Sequence, residues 1–206
     1  MDVLIFGTGD CASLANFYLT SDSEHKVLGF CVNESHRSES HFEGLPVYSF
    51  EDLPYTPSEV AFFAPLYDND IRSRKTKEIK SKGFSLISYL SSKATCWGSF
   101  GENCFIMEDN TIQPFVKIGN NVVMWSGNHI GHHSTIKDDV FISSHVVISG
   151  RCLVESFCWF GVNSATRDNI TISEGTMVAM SSMIHKTTKP WHMYMGVPAK
   201  PIKSLK

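Results

Sequence analysis

Apolar side chains recur at every sixth residue along the second half of the chain: Ile106, Ile112, Ile118, Met124, Ile130, Ile136, Ile142, Ile148, Val154, Phe160, Thr166, Ile172, Val178 and Ile184, with Thr166 the one polar member. Two positions before each stands a small, polar or β-branched residue, in the series Cys104, Asn110, Val116, Val122, Asn128, Ser134, Val140, Val146, Cys152, Cys158, Ser164, Ile170, Thr176 and Ser182. Gly119, Gly131, Ser143, Ser149, Gly161, Ser173 and Ala179 follow the apolar position by one. A period of six is neither helical nor a strand alternation. It fits a solenoid in which each hexad supplies one short strand and one corner, and three hexads close a triangular coil. Fourteen hexads make between four and five coils, with each inward side chain stacked on the one 18 residues later in an aliphatic column. This predicts a left-handed parallel β-helix over residues 93–187, whose open ends need a cap or a neighbouring domain.

The first 92 residues follow a different rule. Asp2–Gly7 is an apolar run ending in Gly7-Thr8-Gly9-Asp10, and Leu14, Ala15, Tyr18 and Leu19 then recur at helical spacing. Further strands are predicted at 26–33, 47–50, 60–66 and 84–89, with a helix over 69–82 separating the last two. Alternating β and α elements predict a small Rossmann-like parallel sheet in residues 1–92, with any ligand at the carboxyl ends of its strands. The glycine turn gathers backbone N–H groups and a helix start, which suits a phosphate; a tight structural turn is the plainer alternative. A dinucleotide site would need an acid about 20 residues on for the ribose. The chain offers Asn33 and Glu34 there, which disfavours a nicotinamide cofactor, whereas Asn33 has both a donor and an acceptor for a pyrimidine edge.

A net charge of −3 gives no broad electrostatic footprint for nucleic acid or an anionic membrane. None of the six cysteines forms a CxxC pair, and Cys104, Cys152 and Cys158 fall on the inward small position. They read as buried free thiols of a reducing, cytoplasmic protein. No apolar stretch reaches the ~20 residues that span a bilayer, and the start lacks a basic signal-peptide region, so no membrane insertion is expected.

The hexads, the N-terminal glycine turn and the ending Gly196-Val197-Pro198-Ala199-Lys200-Pro201 together resemble the bacterial sugar acyltransferases of the sialic acid O-acetyltransferase (NeuD) and bacillosamine N-acetyltransferase (PglD) type, over essentially the whole chain. The resemblance implies a homotrimer, acetyl-CoA in the groove between neighbouring β-helices, and an amino sugar on a nucleotide carrier held by the N-terminal domain. Residues 188–206 would form a C-terminal tail. Placed on Ile130-Gly131-His132-His133-Ser134, the family's base motif makes His132 the base, with His133 where the family keeps an acid. His133 and His129 remain alternatives, as do corner histidines without chemistry. Carried over position by position, the cofactor contacts are Gly150, Val162 and the stretch Ala179-Met180-Ser181; a further family histidine falls on Phe141. Lys186 and Lys200 are candidates for cofactor phosphates or plain surface charges. Gly7, Thr8, Gly9, Asp10 and Asn33 would hold the nucleotide sugar; Asp10 also suits a helix cap.

Acyl transfer from a thioester requires a base, oxyanion donors and a thiolate able to leave. The expected reaction is N-acetylation of a nucleotide-linked 4-amino-4,6-dideoxyhexose for a surface polysaccharide such as O-antigen or lipopolysaccharide, without a metal. O-acetylation of a sugar such as sialic acid is the alternative within the class. Outside it stand a zinc-dependent β-helix hydratase, suggested by His129, His132, His133 and His145, and a non-catalytic scaffold.

Overall fold

The first unit is built around β1 (Asp2–Phe6), whose Val3, Leu4 and Ile5 are wholly buried. It continues through α1 (Asp10–Ser21), β2 (Lys26–Val32), β3 (His41–Phe42), β4 (Leu45–Ser49), β5 (Ala61–Phe63) and α2 (Asn69–Ser81). The computed structural model describes all 206 residues, in two compact units, Met1–Tyr89 and Leu90–Lys206. In the first the strands lie in the order β3-β4-β2-β1-β5, with β5, β1, β2 and β4 parallel. Continuous apolar runs such as Ala61-Phe62-Phe63 suit strands buried on both faces. Edge-to-face aromatic contacts link Phe6, Phe50, Phe62 and Phe84 at 5.1–5.9 Å. Asp68 caps α2 by accepting from the Ile71 amide at 2.8 Å.

Two local readings change. The expected strand at 84–89 is reduced to one bridge, Phe62 to Leu86, followed by a two-residue strand, Tyr89–Leu90. The antiparallel β3–β4 hairpin was not expected: Glu43 and Gly44, both at positive φ, close it as a two-residue loop.

In the second unit every strand of the repeat is two residues long, and each from Phe105–Ile106 to Ala165–Thr166 pairs in parallel with the strand 18 residues on, as Lys117 with Thr135, Val123 with Phe141 and His129 with Val147. Three such ladders form the faces. Both inward hexad positions are buried throughout, Ile170 alone being only partly so. Each fully buried aliphatic side chain contributes about 1.5–3 kcal/mol, yet the interior is not purely aliphatic. Asn128 accepts from the Val146 amide at 2.7 Å while Asn110 donates to two carbonyls, and the Thr166 hydroxyl accepts from the Ser149 amide at 3.2 Å. Thr166 thus fits its column because its hydroxyl is satisfied.

The corners use left-handed backbone at non-glycine residues: Phe115, His133, Arg151 and Asn169 have φ between 58° and 67° along one edge. Their cost is offset by hydrogen bonds to the preceding coil, such as Arg151 N–H to the His132 carbonyl at 2.9 Å. The segment after residue 187 is no separate tail. Residues His192–Gly196 extend one face by pairing with Met177–Val178, and Ala199–Ser204 folds back antiparallel on them. Tyr194 turns inward, and its hydroxyl accepts from the Lys189 amide at 2.8 Å.

Candidate functional site

Gly131 to Ser134 form a corner because Ile130 and Ile136 are anchored inside, and the corner projects both His132 and His133 to the surface. Ser134 is buried beneath them, its hydroxyl donating to the Ser149 carbonyl and accepting from the Cys152 amide, each at 3.0 Å. The Gln113 side chain accepts from the His132 amide at 2.8 Å. The two imidazoles meet through their Nδ1 atoms at 3.0 Å. The His132 ring also lies against Gly150, where a Cβ would come within 2.9 Å of Cε1 and Nε2. His133, on the left-handed corner, packs on the Phe115 ring at 4.6 Å. The His133 imidazole and the Gly150 backbone hold the His132 ring from two sides, Gln113 holds its backbone, and the ring stays open to solvent, as proton transfer requires.

The 18-residue register sorts the remaining positions. His132, Gly150 and Lys186 stand on one edge, whereas Val162 and Met180 stand on another, linked by the Ser181 amide donating to the Val162 carbonyl at 2.8 Å. Val162 and Met180 are 43% and 73% exposed. Ala179 is buried, its amide donating to the Tyr194 carbonyl. Lys186 and Lys200 come together on a cavity of about 290 Å³ floored by Tyr194 and Ala199, where Lys189, missed in the sequence, joins them. Phe141 is only 2% exposed and lies stacked on Trp159 with centroids 5.6 Å apart, so in this chain it is packing and not an open contact surface. His129 is a half-buried strand residue paired with Thr111 and Val147.

In the first unit Gly7 adopts φ +115°, a conformation that favours glycine, and its amide bonds the Cys31 carbonyl at 2.8 Å. Gly9 is the N-cap of α1, so Asp10 lies in the first turn and does not cap; nothing stands within 4 Å of where a Gly9 Cβ would be. Thr8 lines a cleft of about 140 Å³ with Val32, Arg37, Glu39, Phe42 and Val47. Asn33 is held from both ends: its amide donates to Glu51 at 2.8 Å, and Lys75 donates to its carbonyl oxygen at 2.9 Å. Hydrogen bonds from Asn33, from the Glu34 amide and from Ser49 hold the Glu51 carboxyl down to about 2. Lys75 lies over the Phe6 and Phe50 rings. These partners come from separate elements, and no local sequence signal announced them.

All six cysteines are free. Burial pushes the Cys11, Cys31 and Cys158 thiols up to about 12, which leaves them poor nucleophiles. No three His, Cys, Asp or Glu side chains converge as a metal-ligand group, His129, His132, His133 and His145 included. No helix is long and apolar enough to cross a membrane.

Residues 99–132 match the bacterial transferase hexapeptide family, six repeats. The chain is 22% identical over 223 residues to the serine acetyltransferase of Buchnera aphidicola subsp. Schizaphis graminum, covering 94% of this chain and 85% of that protein. Its fold is similar to that of PerB from Caulobacter crescentus, solved with CoA and GDP-perosamine, at TM-score 0.89, 20% identity and 98% of both chains. It is similar also to the acetyltransferase domain of PglB from Neisseria gonorrhoeae, at TM-score 0.85 and 18% identity over 98% of this chain and 99% of that one. WeeI from Acinetobacter baumannii is a third such structure, at TM-score 0.82 and 15% identity over 98% of this chain and 100% of that one.

Proposed function

We propose that the protein is an acetyl-CoA-dependent N-acetyltransferase acting on a nucleotide-linked amino sugar, of the 4-amino-4,6-dideoxyhexose class, in surface polysaccharide biosynthesis. The observation that carries the reading is the His132 ring, exposed at a corner, seated on Gly150 and joined through Nδ1 to His133 at 3.0 Å. In this reading His132 Nδ1–H donates to His133 Nδ1. That contact selects the tautomer whose Nε2 carries the lone pair, as a carboxylate does elsewhere, but without adding charge. Nε2 takes a proton from the sugar amine as its nitrogen bonds to the thioester carbonyl carbon. Collapse of the tetrahedral oxyanion then breaks the C–S bond, and the imidazolium returns the proton to the departing CoA thiolate. The solved neighbours with CoA, GDP-perosamine or acetyl-CoA in their crystals support this substrate pair.

Two edges of one chain carry the site, His132 with Gly150 and Val162 with Met180. We read the active form as a homotrimer, in which a groove between adjacent copies would bring the two edges together, with the nucleotide held by residues 7–10 of the first unit. The free thiols fit a cytoplasmic enzyme. The test is CoA release from acetyl-CoA with a panel of UDP-, dTDP- and GDP-linked amino sugars. Turnover with an amine acceptor is expected, and release only with hydroxyl acceptors would overturn N-transfer. Mixed trimers of His132→Ala and Met180→Glu chains should recover activity that neither variant shows alone.

A further inference from the structure

We infer that the cleft between the glycine turn and the β3–β4 hairpin is a base pocket selective for guanine, so that the nucleotide carrier is a guanosine diphosphate. The inference rests on the reading above that the acceptor is nucleotide-linked, and names which nucleotide. The cleft measures about 140 Å³. That falls below the roughly 300–1,000 Å³ of pockets that enclose a whole drug-sized ligand and suits a single heteroaryl base. Val32 and Val47, 6% and 5% exposed, give it an apolar floor, and Phe42, braced edge-on against Phe30 at 4.9 Å, gives it an aromatic wall. Thr8, in the glycine turn that precedes α1, also lines it. In this reading the diphosphate lies on that turn, where nothing stands within 4 Å of a Cβ placed on Gly9.

The polar lining decides which base. Asn33, the residue suited to a pyrimidine edge, is engaged by Glu51 and Lys75 and does not line the cleft. Arg37 and Glu39 do line it, as the two charged members of a polar stretch that includes His36 and Ser38. One Arg37 nitrogen bonds Glu34 at 3.2 Å, which steadies the guanidinium and leaves its other donors, and the Glu39 carboxylate has no partner in the chain. A guanine edge presents an acceptor, O6, beside two donors, N1–H and N2–H. Arginine satisfies the first and the two carboxylate oxygens the other two. Uracil and thymine present an oxygen in place of N2–H, setting lone pairs against the carboxylate, and adenine lacks the N1 donor.

Titration calorimetry on the full chain with GDP, UDP and dTDP, in the absence of any acetyl donor, tests this. GDP should bind about tenfold or more tighter than the other two. Glu39→Gln, which sets an amide donor against guanine donors, should erase the preference, and Glu39→Asp should keep most of it. Equal affinity for the three diphosphates, no binding of GDP, or a preference that survives Glu39→Gln would overturn the assignment. Because binding is read without catalysis, absence of acetyl transfer would fell the proposed reaction and leave this pocket standing. A pyrimidine preference with intact acetyl transfer would do the reverse.

Discussion

Two corners of the solenoid press a histidine ring against a glycine, and they are not alike. His132 lies on Gly150, one coil later; His145 lies on Gly127, one coil earlier, where a Cβ would stand 2.7 Å from the ring. By register His145 corresponds to His133, since both occupy the left-handed corner position at φ 57° and 59°. The place of His132 is taken at the second corner by Ser144. Seating an imidazole on glycine is therefore a way of stacking corners. What distinguishes the first is that a second imidazole reaches its Nδ1.

The largest expected effect separates the two directly. His132→Ala should lower kcat/KM about 10²–10⁴-fold, the usual worth of a general base, while His145→Ala should change it less than about twofold. Comparable losses in both would erase the distinction and return the ring-on-glycine contact to a purely structural role.

The hexad register was legible because one physical demand, an inward side chain at each face of a triangular coil, repeats without interruption. The candidate corner was legible for the same reason: with Ile130 and Ile136 inside, His132 and His133 must project. Phe141 was not legible, since a position transferred by resemblance says nothing of a ring stacked on Trp159. Nor was the Asn33, Glu51 and Lys75 cluster, whose members meet only when β2, the segment after β4 and α2 pack together. The β3–β4 hairpin escaped notice because its first strand is only two residues long.

The glycines sharpen the same contrast. At Gly150 the backbone accepts alanine but the His132 ring must move. Gly150→Ala should therefore cost about 10²-fold in kcat, as an ångström-scale misplacement does, with the melting temperature nearly unchanged. Gly127, at φ +78°, should behave oppositely: alanine there should destabilise by about 1–2 kcal/mol in thermal melts and leave the activity of folded protein intact.

Smaller still is the effect of putting charge at the first corner. His133→Asp, which tolerates the left-handed conformation, puts a carboxylate where an imidazole meets His132 Nδ1. It should keep the kcat/KM that His133→Ala, which removes the partner, lowers; equal kcat/KM in the two variants would separate the two rings functionally. The smallest change concerns the interior that both corners share. Thr166→Val keeps the shape but leaves the Ser149 amide without its acceptor, and denaturant titration should register a loss of about 1–3 kcal/mol.

The pairing of each rung with the one 18 residues later also sets how such a chain may change in length. Adding one hexad turns everything downstream onto the next face, so that Met180 would arrive on the edge that carries His132. Adding a whole coil turns nothing and only slides the downstream half along the axis. Translation and rotation are thus uncoupled by arithmetic alone: lengthening in whole coils preserves the angular relation of the two edges, and any shorter insertion that keeps the core in phase destroys it.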